Sequence, residues 1–395
     1  MSDFGQLRDY IDGAAVKRLS DVECDPTKSN QHELNATRLI RDLFGEGRAE
    51  YPARYIRLED DEEKIEDIEG TVTIYDARES HPTRSEYRLY YQDNPAITSA
   101  ETGDILAIIL KKDQSVIFIS APAGSQSELE LIELFGENQS TNFRSLDFKN
   151  DNTEVSISKR FILEEIGIEV TAEFGKSYLD IIQSRFGGLI FPKTRQFSAL
   201  AQELAGDSNS FQTADDAIIA WWETEEAMFR QLEGELISQK LNSGFKDADD
   251  FLKFSTTIRQ RRSSRAGNAL ENHLAQLFNE KNIRYSWEPK TEGNKKPDFL
   301  FPSIDDYRDS SFPEDRLTML GVKTTCKDRW RQVLTEADRI NNKHLFTLQP
   351  KISENQTDEM KASGLTLVVP ESIKSSYFDS QKQWLLNLQD FIEHL

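Results

Sequence analysis

The stretch from Thr291 to Arg339 constrains this chain most. It reads TEGNKKPDFLFP, then an acidic and polar interval, then MLGVKTTCKDRWRQVLTEADR. Pro297 and Asp298 stand just ahead of the apolar run Phe299, Leu300 and Phe301. Met319 to Val322 is a second apolar run, and it delivers Lys323. Short apolar runs bounded by polar and turn residues read as buried strands. The 25-residue step from Asp298 to Lys323 fits two adjacent strands joined by a long hairpin loop. A charged segment follows, with Lys327, Arg329, Arg331, Glu336 and Arg339 at helical spacing. That spacing predicts a helix in which Arg329 and Glu336 share a face. The position two residues before Lys323 is Gly321, which offers no carboxylate beside the lysine. Glu336 is expected to supply the carboxylate from the helix instead.

These residue types suit one chemistry. Phosphodiester hydrolysis needs an activated water, charge neutralisation at phosphorus and help for the leaving oxygen. One or two divalent ions held by carboxylates supply all three, with a lysine orienting or deprotonating the water. Mg²⁺ takes oxygen ligands and keeps several waters, so two or three carboxylates suffice. Asp298, Lys323 and Glu336 meet that need, with Asp298 and Glu336 as the metal ligands and Glu271 as a further carboxylate. The pattern alone also fits a structural turn with an ion-pair network, because a Pro-Asp pair and a lysine after an apolar strand are both common.

The rest of the chain sets bounds. Its 395 residues suffice for two cores of ordinary size. A hydrophobic fraction of 37% beside a charged fraction of 30% fits a globular protein. No apolar run approaches the roughly 18 to 20 residues that span a bilayer, and the mixed N-terminus is no secretory signal. Cys24 and Cys326 form no CxxC pair, which excludes a disulfide framework or a cysteine zinc site and fits a cytoplasmic protein. The net charge of -21 opposes generic nucleic-acid binding. The charge is uneven, however. Residues 251–350 hold 18 Lys and Arg against 13 Asp and Glu, a balance of +5, so the remainder carries -26. A basic working face on an acidic body suits DNA and limits indiscriminate binding. A solvated charged face gives the same composition.

Residues 1–165 read as a β-rich domain. Strands are expected at 71–75, 87–91, 105–110 and 115–120, with a hairpin at Asp113-Gln114. Helices are expected at 36–44 and 128–135, and the acidic segment 59–69 reads as an exposed loop. Arg84, Glu86 and Arg88 alternate, so on an extended strand they share one face. Arginine reads guanine and glutamate accepts from the cytosine amino group, although cross-strand ion pairs explain the pattern too. Residues 166–182 are read as a linker and 183–395 as the second domain. Long helices are expected at 198–204, 215–241 and 248–270, the last with the basic run IRQRRSSR, then an amphipathic segment at 266–278. A strand near 283–287, strands at 345–348 and 365–370, and a closing helix at 381–395 complete an α/β sandwich.

The quoted segments GNKKPDFLFP and VKTTCKDRWRQ…EAD closely resemble the catalytic domain of EcoRII-type restriction endonucleases, members of the PD-(D/E)xK superfamily. SRAG…LE at Ser264 to Glu271 and HLFTLQ at His344 to Gln349 extend the likeness from about Phe186 to the C-terminus. In the N-terminal half, KRLS at Lys17 to Ser20, TRxExR at Thr83 to Arg88 and ISAPAG are similar to the family's effector-binding domain. That resemblance implies a B3-like pseudobarrel followed by a restriction-endonuclease-like sandwich. It places the metal-binding aspartate on Asp298, the catalytic lysine on Lys323 and a displaced glutamate on Glu336, with Glu271 and Tyr307 near the site. It assigns Lys327, Asp328, Arg329 and Arg331 to reading CC:GG in the major groove. Trp222 or Trp221 matches a region that stacks a flipped base, and both also read as core. In the effector domain Gln31 and His32 lie near positions used on the second DNA arm, beside Arg84, Glu86 and Arg88.

The function so implied is a Mg²⁺-dependent, type IIE-like endonuclease cutting duplex DNA at CCWGG or a close relative. It would act as a homodimer, with a second copy of the site as effector and a methyltransferase protecting the host. Two alternatives share the core: a methyl-directed or repair nuclease, and a site-specific DNA-binding protein with an inactive nuclease core.

Overall fold

The computed structural model describes residues 5–25, 27–28, 32–60, 66–149, 152–170, 177–326 and 329–395. The chain divides into two units, Met1–Glu173 and Phe174–Leu395. Ile166, Ile168 and Val170 are buried in the first core, and Tyr178 and Ile182 in the second. Both described ends of the segment expected as a 17-residue linker, 166–182, thus contribute side chains to a core, and residues 171–176 lie outside the described residues.

The first unit is one large curled sheet of eight strands. They are β1 (Ile11–Arg18), β2 (Glu33–Asn35), β3 (Ala49–Arg57), β4 (Glu66–Asp76), β5 (Tyr87–Tyr91), β6 (Ile105–Lys111), β7 (Val116–Ala121) and β8 (Arg144–Asp147). Their order is β2-β5-β4-β3-β7-β6-β1-β8. Neighbours are antiparallel except β3 and β7. Both faces are buried, which explains the unbroken apolar text of β6. Ile105, Ala107 and Ile109 face one core, and Leu106, Ile108 and Leu110 the other. Helices α1 (Arg38–Phe44), α2 (Gln126–Phe135) and α3 (Ile157–Glu165) cover these faces, with Ile40 and Phe44 on one and Leu131, Leu134 and Ile162 on the other. Glu66 to Glu69 begin β4 rather than a loop, because they pair with Arg57 to Arg54. Residues 61–65 of that expected loop lie outside the described residues.

The second unit opens with α4 (Leu179–Phe186), α5 (Thr194–Ala205) and a hairpin of two long helices, α6 (Ala214–Ser243) and α7 (Ala248–Glu280). The basic run sits on α7 and partly turns inward. Arg262 pairs with Glu233 at 2.6 Å, and Arg265 with Glu226. The two segments expected at 248–270 and 266–278 form this one helix. Its last turns place Leu274, Leu277 and Phe278 in the interior, with the Phe278 ring against Phe299 and Phe301.

Behind α7 lies a mixed five-stranded sheet, ordered β13-β12-β11-β10-β9. Its strands are β9 (Ser286–Trp287), β10 (Phe299–Phe301), β11 (Thr318–Lys323), β12 (Lys343–Thr347) and β13 (Leu365–Val368). β9, β10 and β11 run antiparallel, and β11, β12 and β13 run parallel. The chain closes with two short helices, Asp379–Lys382 and Leu388–Glu393, rather than one helix over 381–395. Between them Leu386 bridges to Val368, extending the sheet. Asp215 holds this segment: its carboxylate accepts from the backbone amides of Leu388, Gln389 and Glu371 at 2.9 to 3.1 Å. Among the described residues no helix is long and apolar enough to cross a membrane.

Candidate active site

Antiparallel pairing of β10 with β11 sets the first contact. Phe299 faces Leu320 across the ladder, so Asp298, one residue earlier, comes level with the end of β11. Its Oδ2 accepts a hydrogen bond from the Val322 amide at 2.6 Å. The same oxygen lies 3.5 Å from Lys323 Nζ, and both side chains are mostly buried. Burial raises the Asp298 carboxyl, while Lys323 and the Val322 amide pull it back.

The position of the missing acid has a steric cause. A Cβ on Gly321 would stand 2.9 and 3.0 Å from the Val333 methyls. Val333 ends α8 (Trp330–Val333), a single turn that packs on this strand face through the fully buried Trp330 and Val333. A longer side chain at 321 has nowhere to go. Glu336 does not sit on a continuous helix, as the spacing of the charges led us to expect. The helix stops at Val333, and Glu336 lies in the following turn, where its amide bonds to the Val333 carbonyl at 3.2 Å. Ala337 then takes a left-handed φ of 49°. A buried aromatic, Trp330, sets where the turn packs, and charge spacing carries no signal of that.

Glu336 and Glu271 both feel the site. Each carboxyl is pushed up to about 7, first by burial and then by the negative charge of Asp298, while Lys323 opposes the shift. Lys343 and Lys295 also oppose it at Glu336. Among the described residues no donor hydrogen-bonds the Glu336 carboxylate. Glu271 projects from α7 and accepts from the Trp287 indole at 3.2 Å. The Trp287 ring is stacked on Phe299, 5.8 Å between centroids, with the Arg195 guanidinium 4.3 Å from its centre. Glu288, at a φ of 45°, adds a charge that raises both Asp298 and Glu271, and its amide bonds to the Asp298 carbonyl at 2.9 Å. Trp287 and Glu288 were not singled out in the sequence; the short strand before PDFLF was their only signal.

Tyr307 lies apart from the Asp298–Lys323 contact. It is buried, and its hydroxyl donates to Glu292 at 2.7 Å and accepts from the Arg339 amide at 3.2 Å. It thereby ties the loop before Asp298 to the turn after Glu336. Arg329 and Arg331 are exposed, Arg331 pairing with Glu359 at 2.9 Å. Lys327 and Asp328 lie outside the described residues. Trp222 and Trp221 are interior, 1% and 0% exposed, and the Trp221 indole donates to the Gly206 carbonyl.

In the first unit β5 begins at Tyr87, so Arg84 and Glu86 precede the strand and the three do not form one strand face. Glu86 takes Arg78 at 2.5 Å and also Arg88, which makes an ion-pair cluster beside exposed Arg84. His32 adopts a φ of 48° with its ring edge-on to Tyr91, and Gln31 lies outside the described residues.

Among the described residues no three His, Cys, Asp or Glu side chains are gathered closely enough to hold a metal ion by themselves. The available donors are hard carboxylate oxygens, Asp298 and Glu336, both raised by burial, with the charge of Asp298 raising Glu336 further. Two carboxylates with water completing the shell suit Mg²⁺.

The second unit thus holds a mixed sheet on which a carboxylate and a lysine meet at adjacent strand ends. Residues 229–392 match the family described as EcoRII C terminal. Over 156 residues the chain is 49% identical to the type II restriction enzyme EcoRII of Escherichia coli. That match covers 39% of this chain and 39% of the relative, about two fifths of its length. Among solved structures, metal-depleted Ecl18kI in complex with uncleaved, modified DNA is similar at 20% identity, over 55% of this chain and 82% of that one, with a TM-score of 0.44.

Proposed function

We propose that the protein is a type II restriction endonuclease that hydrolyses duplex DNA at CCWGG or a closely related site. The observation that carries this is the meeting of Asp298, the Val322 amide and Lys323 at one strand end, with two further raised carboxylates beside them. In this reading the Lys323 ammonium orients the attacking water and steadies negative charge at phosphorus. Asp298 stays anchored by the Val322 amide and is thereby fixed relative to Lys323. A Mg²⁺ ion held by Asp298 and Glu336 would supply charge neutralisation and acidify the water. Glu271, held by Trp287, adds a third carboxylate to the charge of the site. Arg329, Arg331 and their neighbours Lys327 and Asp328 would read the G and C edges.

The first unit, read as a B3-like pseudobarrel, would bind a second copy of the site through Arg84, Glu86, Arg88 and His32, making the enzyme type IIE-like. Arg84, Glu86 and Arg88 in the first unit and Arg329 and Arg331 in the second would give each unit its own DNA-reading residues, which supports this coupling. The enzyme would act as a homodimer beside a methyltransferase that protects host DNA. Short CCWGG duplex added in trans tests the effector step: faster cutting of a one-site plasmid is expected. Unchanged cutting overturns the effector role and leaves the nuclease reading standing.

A further inference from the structure

We propose that Lys343 is a positioning residue for Glu336, its buried ammonium tying down the turn that directly follows this carboxylate. The inference rests on the reading of Glu336 as part of the active site. Glu336 has no helix to hold it, since α8 ends at Val333 and Ala337 is left-handed. Such a conformation persists in a residue with a side chain only where its surroundings impose it. Lys343 does so from the first position of β12. It is only 6% exposed, and its Nζ donates to the Ile340 carbonyl at 2.7 Å and the Ala337 carbonyl at 3.4 Å. These carbonyls bracket the turn that the Ile340 amide closes onto Ala337. A lysine buried this deeply is rare unless its charge is used. Here it has two uses, because its positive charge also acts on Glu336.

The strand beneath makes the anchor rigid. β12 is parallel to β11, with Thr347 level with Lys323, so Lys323 and Lys343 lie on neighbouring strands of one sheet. The Lys343 amide is itself bonded to the Gly364 carbonyl at 2.9 Å. Two lysines thus meet the site in different ways. Lys323 contacts Asp298 directly, whereas Lys343 spends its hydrogen bonds on backbone and reaches Glu336 through the turn. Lys343 touches none of the groups assigned to the reaction, which is why it is a positioning residue.

The test is Lys343→Met, which keeps the stem length and removes the ammonium. In the metal-free protein, exchange of the Ile340 amide is expected to speed up about tenfold or more, as befits loss of a charged hydrogen bond, while the β12 amides keep their protection. In cleavage assays the Mg²⁺ concentration for half-maximal rate is expected to rise about 10-fold or more, the usual cost of removing a support behind a metal ligand. Lys343→Arg, which keeps the donors and the charge, should recover part of that shift. In a Glu336→Gln background Lys343→Met should have no further effect on Mg²⁺ dependence. If Lys343→Met does not fold, Lys343→Gln, with one amide donor left for Ile340, takes its place. Unchanged Ile340 exchange, or an equal Mg²⁺ shift with and without Glu336, overturns the proposal. A wild-type protein that cuts no DNA overturns the nuclease reading instead, and the exchange measurement still decides the role of Lys343.

Discussion

Gly321 and Val333 make the sharpest prediction. Ordinary carbon contacts fall at about 3.5 to 4.0 Å, whereas an alanine Cβ at 321 would meet the Val333 methyls at 2.9 and 3.0 Å. Val333 is fully buried, so it must retreat by several tenths of an ångström and carry α8 with it. Overpacking of this kind costs about 1 to 3 kcal/mol. Val333→Ala removes two methyl groups from the same contact and costs roughly 1.5 to 3 kcal/mol. In the double variant the new methyl fills part of the space left by the old ones. It should be more stable than the sum of the single changes by about 0.5 to 3 kcal/mol, the range for residues in contact. Glu336 follows Val333 by three residues, so Gly321→Ala should also slow cleavage, by about 10-fold or more if the carboxylate moves by an ångström. Gly321→Glu should be worse, not better, although it writes the acid back into its expected place. Urea unfolding of the four proteins and single-turnover cleavage provide the measurements. Strict additivity, or a Gly321→Glu variant as active as wild type, would refute the steric account of the displaced acid.

Other expectations follow from the same contacts. Trp287→Phe keeps the stack on Phe299 but deletes the hydrogen bond to Glu271, so cleavage should fall several-fold with a melting temperature within a few degrees of wild type; unaltered cleavage would show that the indole does not position Glu271. Glu271 and Glu336 are raised from 4.5 to about 7, so the folded protein holds their protons more tightly than the unfolded one. Their contribution to stability is complete below about pH 4.5 and is lost as the pH rises to about 7. The melting temperature of metal-free wild type minus that of Glu336→Gln should therefore fall over this window, and a difference that rises or stays flat would contradict the assignment. Asp215→Ala strands three backbone amides and should cost about 2 to 4 kcal/mol in unfolding free energy; a smaller loss than 1 kcal/mol would mean that the C-terminal segment is held by other means.

The parts of this architecture that were legible in the sequence are those written in short-range patterns. The runs at Ile105 to Leu110 and Val116 to Ser120 read directly as strands because both faces are buried. The juxtaposition of Asp298 and Lys323 follows from two apolar runs on one hairpin. Glu336 was legible as a residue but not as a geometry. Its spacing from Arg329 imitates a helix, yet Trp330 and Val333 pack into the sheet and end the helix after one turn. Arg84, Glu86 and Arg88 alternate as on a strand, but the strand starts only at Tyr87. Lys343 was silent, because no local pattern reveals that a lysine at a strand start is buried on carbonyls of the preceding turn. Trp287 was silent for a related reason: its partner, Glu271, is 16 residues away on another element.

The most direct test of the central claim is cleavage of plasmids carrying no, one or several CCWGG sites. Mg²⁺ drives the reaction, and Ca²⁺ and Lys323→Ala serve as controls. The account predicts discrete fragments that map to CCWGG, are absent with Lys323→Ala, and form faster on plasmids with several sites. Sequence-specific binding in Ca²⁺ with no cutting by wild type in Mg²⁺ would contradict it, leaving a DNA-binding protein whose Asp298, Lys323 and Glu336 do no chemistry.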